Sequence, residues 1–137
     1  MEPNHTIDIY IVEDNDLYRK SIEQHLTSKL NCNIYSFNSG ESFLDATINN
    51  LDVLILDYFF RTNKDNHING LTVLKEIKQR HPESIVIILS GQLDYSLINK
   101  FIKAGANDYV VKQKYAHTQI VSKIKQMIKT SKSKVSC

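Results

Sequence analysis

Short apolar runs rich in β-branched residues recur along this chain, and each is followed by a stretch whose apolar residues fall three or four positions apart. The runs are 6–12, 33–37, 53–56, 85–89 and 109–111. Each ends in polar residues, as strands do. The intervening stripes are Tyr18, Ile22, Leu26 and Leu30, then Phe43, Leu44 and Ile48 entered through a Ser39 cap. Leu71, Leu74 and Ile77 follow, closed by His81-Pro82; then come Leu93, Leu97, Phe101 and Ala104, ended by Gly105. Ile120, Ile124, Met127 and Ile128 form the last. Spacings of this kind give a helix one buried face. The pattern is five β–α units, and nearly continuous apolar strands are those covered by helices on both faces. Alternation with right-handed crossovers then predicts a doubly wound α/β fold on a mostly parallel sheet.

A chain of 137 residues has room for one such domain. The expected core is 6–129, with 130–137 a short basic tail. Cys32 and Cys137 show no ligand-like spacing, the N-terminus lacks a basic signal region, and the longest apolar run is only Ile85 to Leu89. A reducing, cytoplasmic setting without a membrane span is expected. Net charge is +2, but 11 acidic residues against 5 basic ones lie up to Asp65, and 4 against 12 lie beyond it. That split is not a single-sign nucleic-acid footprint. The lysines of the last helix and tail, Lys114, Lys123, Lys125, Lys129, Lys132 and Lys134, read as a solvated face or a docking surface for an acidic partner, since no DNA-reading element follows them.

Open parallel sheets bind ligands at the carboxyl ends of their strands. Glu13-Asp14 follow the first strand, Asp57 the third, Ser90-Gly91 the fourth, and Lys112 closes the fifth. Two like charges about 4 Å apart repel by roughly 4 kcal/mol at an effective dielectric of 20, so three ionised carboxylates in one crevice call for a cation. Oxygen ligands of this kind suit Mg²⁺. A carboxylate is also a competent nucleophile towards phosphorus. Asp57, alone at the end of the central strand, is the better nucleophile, with Glu13 and Asp14 on the metal side and Lys112 a second positive charge for phosphoryl oxygens. Taken singly, each residue has a plainer use as a turn, cap or solvent group; the conjunction at four strand ends carries the reading.

Val12-Glu13-Asp14-Asn15, the apolar strand closing on Asp57, Leu89-Ser90-Gly91 and the segment Gly105 to Lys112 together resemble the receiver domain of two-component response regulators, of stand-alone type. The resemblance spans about residues 6–129. It implies the flavodoxin-like strand order 2-1-3-4-5. It also implies that Asp57 takes a phosphoryl group from the phosphohistidine of a sensor histidine kinase or phosphotransfer protein, and that Lys112 contacts that group. Mg²⁺, or Mn²⁺ in its place, would be held by Glu13, Asp14, Asp57 and the backbone carbonyl of Phe59. Ser90 and Tyr109 match the switch pair, whose movement repacks the face of the fourth helix, fifth strand and fifth helix for a downstream protein target or a homodimer. Direct nucleic-acid or membrane binding is not implied. Catalysis is limited to the chain's own phosphorylation and dephosphorylation.

Three features depart from the family's habit. Gln113 stands where proline usually follows the lysine in cis. The 58–69 loop is about five residues long beyond the norm and lacks its proline. Phe59 and Gln92 stand at positions that, by the resemblance, flank the path of attacking water, and a bulky Phe59 would exclude it. Asp65, His67, Asn69, Gly70 and Glu76 imitate the spacing of a calcium loop, but His67 breaks the pattern and no helix enters it. The competing readings are a pseudo-receiver that signals without phosphate, and a receiver portion of a longer DNA-binding regulator. Nucleotide-binding glycine motifs and a GxSxG nucleophile are absent from the sequence.

Overall fold

The computed structural model describes residues 6–58 and 69–136, with side chains as far as Lys129. The elements alternate as β1 (Ile7–Val12), α1 (Asp16–Lys29), β2 (Cys32–Phe37), α2 (Gly40–Asp45) and β3 (Val53–Asp57). Then come α3 (Gly70–Arg80), β4 (Ile85–Ser90), α4 (Tyr95–Lys103), β5 (Asp108–Val111) and α5 (Ala116–Ser136). All strand pairings are parallel, in the order β2-β1-β3-β4-β5. The sheet is therefore flavodoxin-like, as expected, with β1, β3 and β4 in its interior.

Every residue of β3 and β4 is buried, because helices cover both faces of these strands. Ile9, Ile11, Val53, Ile55, Ile87 and Leu89 face α1 and α5, where Ile22, Leu26, Ile120 and Ile124 meet them. The alternate residues Tyr10, Val12, Leu54, Leu56, Val86 and Ile88 face α2, α3 and α4 through Phe43, Leu74, Ile77 and Phe101. Each such aliphatic or aromatic side chain stabilises the fold by about 1.5–3 kcal/mol relative to its exposed state. A one-residue slip of any central strand would exchange the two sets, so both cores fix the register together.

Helix starts are set by side-chain caps: Asn15, Ser39, Asn69 and Asp94 each accept from an amide two or three residues on. Two helix stripes are shorter than the spacing predicts. The second helix ends at Asp45, leaving Ile48 in a loop that still packs against the core. Leu93 precedes the Asp94 cap and is 58% exposed, so the fourth stripe begins at Leu97. In both cases an apolar residue extends the helical period beyond the end of the helix itself, after α2 and before α4. The lysine-serine segment beyond Lys129, expected as a tail, continues α5.

Gly105 ends α4 with φ 114, the one positive φ among the described residues. A Cβ there would lie 3.0 Å from Lys78 Cγ. Lys78 cannot give way cheaply, since its ammonium donates to the Ser84 carbonyl at 2.6 Å and to Asn107 Oδ1 at 3.0 Å. Gly105→Ala is therefore expected to lower stability by about 1–3 kcal/mol, read as a reduced urea midpoint.

Candidate functional site

The register carries the charged residues to one rim. Val12 pairs with Leu56 across β1 and β3, so Glu13 emerges beside Asp57. Asp57 pairs with Leu89 and Ser90 with Val111, which sets Ser90 and Lys112 on the neighbouring strands at the same level. The backbone continues this pairing past the strands: Lys112 N donates to Ser90 O at 2.7 Å and Tyr58 N to Leu89 O at 2.9 Å. Described residues contain no cis peptide, so the Lys112–Gln113 link is trans and the lysine reaches the rim without a proline behind it.

Glu13 and Asp57 are buried at 1% and 0% exposure, and Asp14 is half-buried. One carboxylate oxygen from each lies within 4.8 Å of the others. Lys112 Nζ stands 2.9 Å from Glu13 Oε1 and 3.3 Å from Asp57 Oδ1. Burial by itself pulls the Lys112 ammonium down, but the charges and hydrogen bonds of Asp57 and Glu13 outweigh it and hold the group above the ordinary lysine value. Three carboxylates against one ammonium leave an excess of negative charge in a desolvated crevice. The donor set is all oxygen and clustered on one side, which fits a hard divalent cation.

Glu13 is held by its surroundings as much as by Lys112. The Asn15 amide donates to Glu13 Oε2 at 3.1 Å, and Arg19 Nη1 donates to the Glu13 carbonyl at 2.8 Å. Arg19 in turn pairs with Asp16 at 2.6 Å. The Lys112 ammonium also lies over the ring of Tyr18, 4.9 Å from its centroid. Sequence reasoning assigned Tyr18 to the core stripe alone and passed over Arg19. For Arg19 the available signal was its place as a cation in the first turn of α1, just after the acidic pair; Tyr18 carried no such signal.

On the other side of Asp57, Ser90 and Tyr109 share one acceptor. Ser90 Oγ and Tyr109 Oη each donate to the Gln92 carbonyl at 3.3 Å. Beside them Tyr58, Ser90, Gly91, Gln92, Leu97 and Lys112 line a cavity of about 290 Å³. Phe59, expected to lend a backbone carbonyl, and most of the 58–69 loop lie outside the described residues. Of the calcium-like spacing, Asn69 caps α3 and Glu76 pairs with Arg80 at 2.9 Å, while Asp65 and His67 also lie outside the described residues.

A flavodoxin-like sheet with an acidic cluster and a lysine at its carboxyl rim carries its charged groups where open α/β sheets bind their ligands. A family model described as the response regulator receiver domain matches residues 9–125, and the chain belongs to that family. It is 37% identical over 105 residues to the DNA-binding transcriptional regulator NtrC of Klebsiella pneumoniae, covering 75% of this chain and 21% of NtrC. It is 29% identical over 105 residues to a cyclic di-GMP phosphodiesterase of Thermotoga maritima, covering 76% of this chain and 26% of that protein. Among solved structures, the response regulator DrrB of Thermotoga maritima superposes with a TM-score of 0.79 at 25% identity, over 93% of this chain and 54% of DrrB. The chain thus spans only 26% and 21% of the length of those two curated relatives. Among the described residues no helix is long and apolar enough to cross a membrane.

Replacing Lys112 with methionine should leave Glu13 and Asp57 without their ammonium and lower stability at pH 7 by about 1–3 kcal/mol. In the native chain the raised Lys112 contributes stability throughout the neutral range and loses it only as pH climbs past the ordinary lysine value. Urea titrations at several pH values check both statements.

Proposed function

We propose that this chain is the phosphoacceptor of a two-component system, receiving a phosphoryl group on Asp57 from the phosphohistidine of a sensor histidine kinase or phosphotransfer protein. The observation that carries the reading is the convergence of Glu13, Asp14 and Asp57 within 4.8 Å, with Lys112 2.9 Å from the first and 3.3 Å from the last. An Asp57 oxygen attacks phosphorus, the O–P bond forms as the P–N bond of the donor breaks, and the imidazole leaves with its electron pair and takes up a proton. Lys112 meets the charge on the phosphoryl oxygens. Mg²⁺, with Mn²⁺ as a substitute, would bind Glu13, Asp14 and Asp57 and supply charge neutralisation for the transferring group. The chemistry is self-directed: the chain turns over no separate substrate beyond its own phosphorylation and loss of phosphate.

An aspartyl phosphate brings new acceptor oxygens beside Ser90. In this proposal Ser90 Oγ leaves the Gln92 carbonyl for one of them, and Tyr109, deprived of the same arrangement, turns into the space vacated. Shifting such a two-state element from 1:99 to 99:1 takes about 5.5 kcal/mol of differential interaction. The readout is the α4–β5–α5 face, where Tyr95 and Ile102 are exposed and Lys100 and Lys103 stand on the same helix. That face would dock a downstream protein target or a second copy. Two curated relatives join the shared portion to different outputs, one a cyclic di-GMP phosphodiesterase and one a DNA-binding transcriptional regulator, so the second reading is a receiver unit within a longer regulator.

Incubation with Mg²⁺ and acetyl phosphate, followed by intact mass measurement, should give one hydroxylamine-labile phosphoryl adduct, absent from Asp57→Asn. An unmodified native chain would instead support a pseudo-receiver. Without donor, Mg²⁺ at ten times its Kd should raise unfolding stability by about 1.4 kcal/mol. Asp14→Ala should remove most of that gain in a thermal melt. Ser90→Ala should still take up phosphate yet fail to move the ring resonances of Tyr109, which tyrosine-labelled NMR resolves.

A further inference from the structure

A lysine ammonium on a four-carbon stem is a poorly oriented charge, and immobilising it costs up to about 2 kcal/mol of rotamer entropy. Two contacts of Lys112 here are to carboxylates, Glu13 and Asp57. These same groups are the ones a divalent cation would neutralise, which weakens their hold on the ammonium at the moment the site is loaded. The third contact is of another kind: the Tyr18 ring, 4.9 Å from Nζ to centroid, attracts the ammonium through its quadrupole and carries no charge for a metal to neutralise.

Tyr18 is itself held from two sides. On α1, Ser21 Oγ donates to the Tyr18 carbonyl at 2.7 Å. From α5, the His117 ring meets the Tyr18 ring edge-on, 5.2 Å between centroids at 86°. His117 Nε2 lies 2.8 Å from Ser21 Oγ. Because the hydroxyl proton of Ser21 is committed to the Tyr18 carbonyl, Oγ accepts from Nε2–H and fixes the imidazole in place. The Tyr18 hydroxyl is buried with no hydrogen-bond partner among the described residues, so the ring and not the phenol oxygen makes the contacts that matter.

We propose that Tyr18 is a positioning residue for phosphoryl transfer, holding the Lys112 ammonium over the rim by a cation–π contact that persists when the carboxylates are metal-bound. The proposal rests on the phosphoacceptor reading of Asp57. Tyr18→Leu keeps apolar bulk and removes the π face; it is expected to slow phosphorylation by acetyl phosphate at saturating donor and Mg²⁺ by about fivefold. Its Mg²⁺ Kd should stay within about twofold of the native value. Tyr18→Phe restores the ring without the hydroxyl and should restore the rate. The Lys112 side-chain methylene protons should show upfield ring-current shifts in the native chain and in Tyr18→Phe, and lose them in Tyr18→Leu. Equal rates in native and Tyr18→Leu protein, or a Tyr18→Phe rate as low as that of Tyr18→Leu, overturn the proposal. Absence of any adduct on the native chain overturns the phosphoacceptor reading instead. Absence of the ring-current shift then overturns the cation–π contact by itself, without recourse to phosphorylation.

Discussion

Two carboxylates buried at 1% exposure or less, balanced by a single lysine that reaches them from another strand, are what the rest of this molecule is arranged around. Desolvated carboxylates are costly unless paired, and the cost is met here by Lys112 and by the Asn15 amide that donates to Glu13 Oε2. The pairing is deliberately incomplete in charge, since Asp14 adds a third acid to the same cluster. A rim in that condition is stable enough to stay folded and still attractive to a cation. The central position of β3 makes this possible. A strand covered on both faces and both edges can hold an aspartate at its tip with no access to bulk water, which an edge strand could not do.

The two sides of Asp57 are built differently. Towards β1 and α1, the groups are tied down by short hydrogen bonds, the Arg19–Asp16 pair and the Tyr18–His117–Ser21 contacts. Towards β4 and α4, Ser90 and Tyr109 share one carbonyl at 3.3 Å, beside a cavity of about 290 Å³. Bonds of that length are near the limit of the interaction and are readily exchanged for a better acceptor. The flank towards β1 and α1 is thus firmly held, and the flank beside the cavity is the one free to rearrange.

Much of this was legible in the residues. The five strand runs and the strand-end placement of Glu13, Asp14, Asp57, Ser90 and Lys112 follow from periodicity and from where each run turns polar, because a two-sided parallel strand has to be apolar until it leaves the sheet. Ile48 and Leu93 misled for a reason of the same kind. Their apolar character continues a helical period, yet backbone capping at Ala46 and Asp94 ended or delayed the helices, and capping is local chemistry that periodicity does not report. Tyr18 was legible only as a core residue, since nothing in a one-dimensional pattern distinguishes a ring packed on aliphatics from a ring packed beneath an ammonium.

By itself, then, the sequence determined the number and order of elements and which residue types stand at the strand ends, because those depend on contacts between near neighbours along the chain. Tertiary structure alone decided that Lys112, 99 positions after Glu13, lies 2.9 Å from it, and that His117 on α5 braces Tyr18 on α1. It also decided that the Lys112–Gln113 peptide is trans and that Ser90 and Tyr109 converge on Gln92. These are relations between strands and helices distant in sequence, set by the sheet order β2-β1-β3-β4-β5 and its register. The free energy that enforces them is the burial of two apolar cores at once, which no single segment carries.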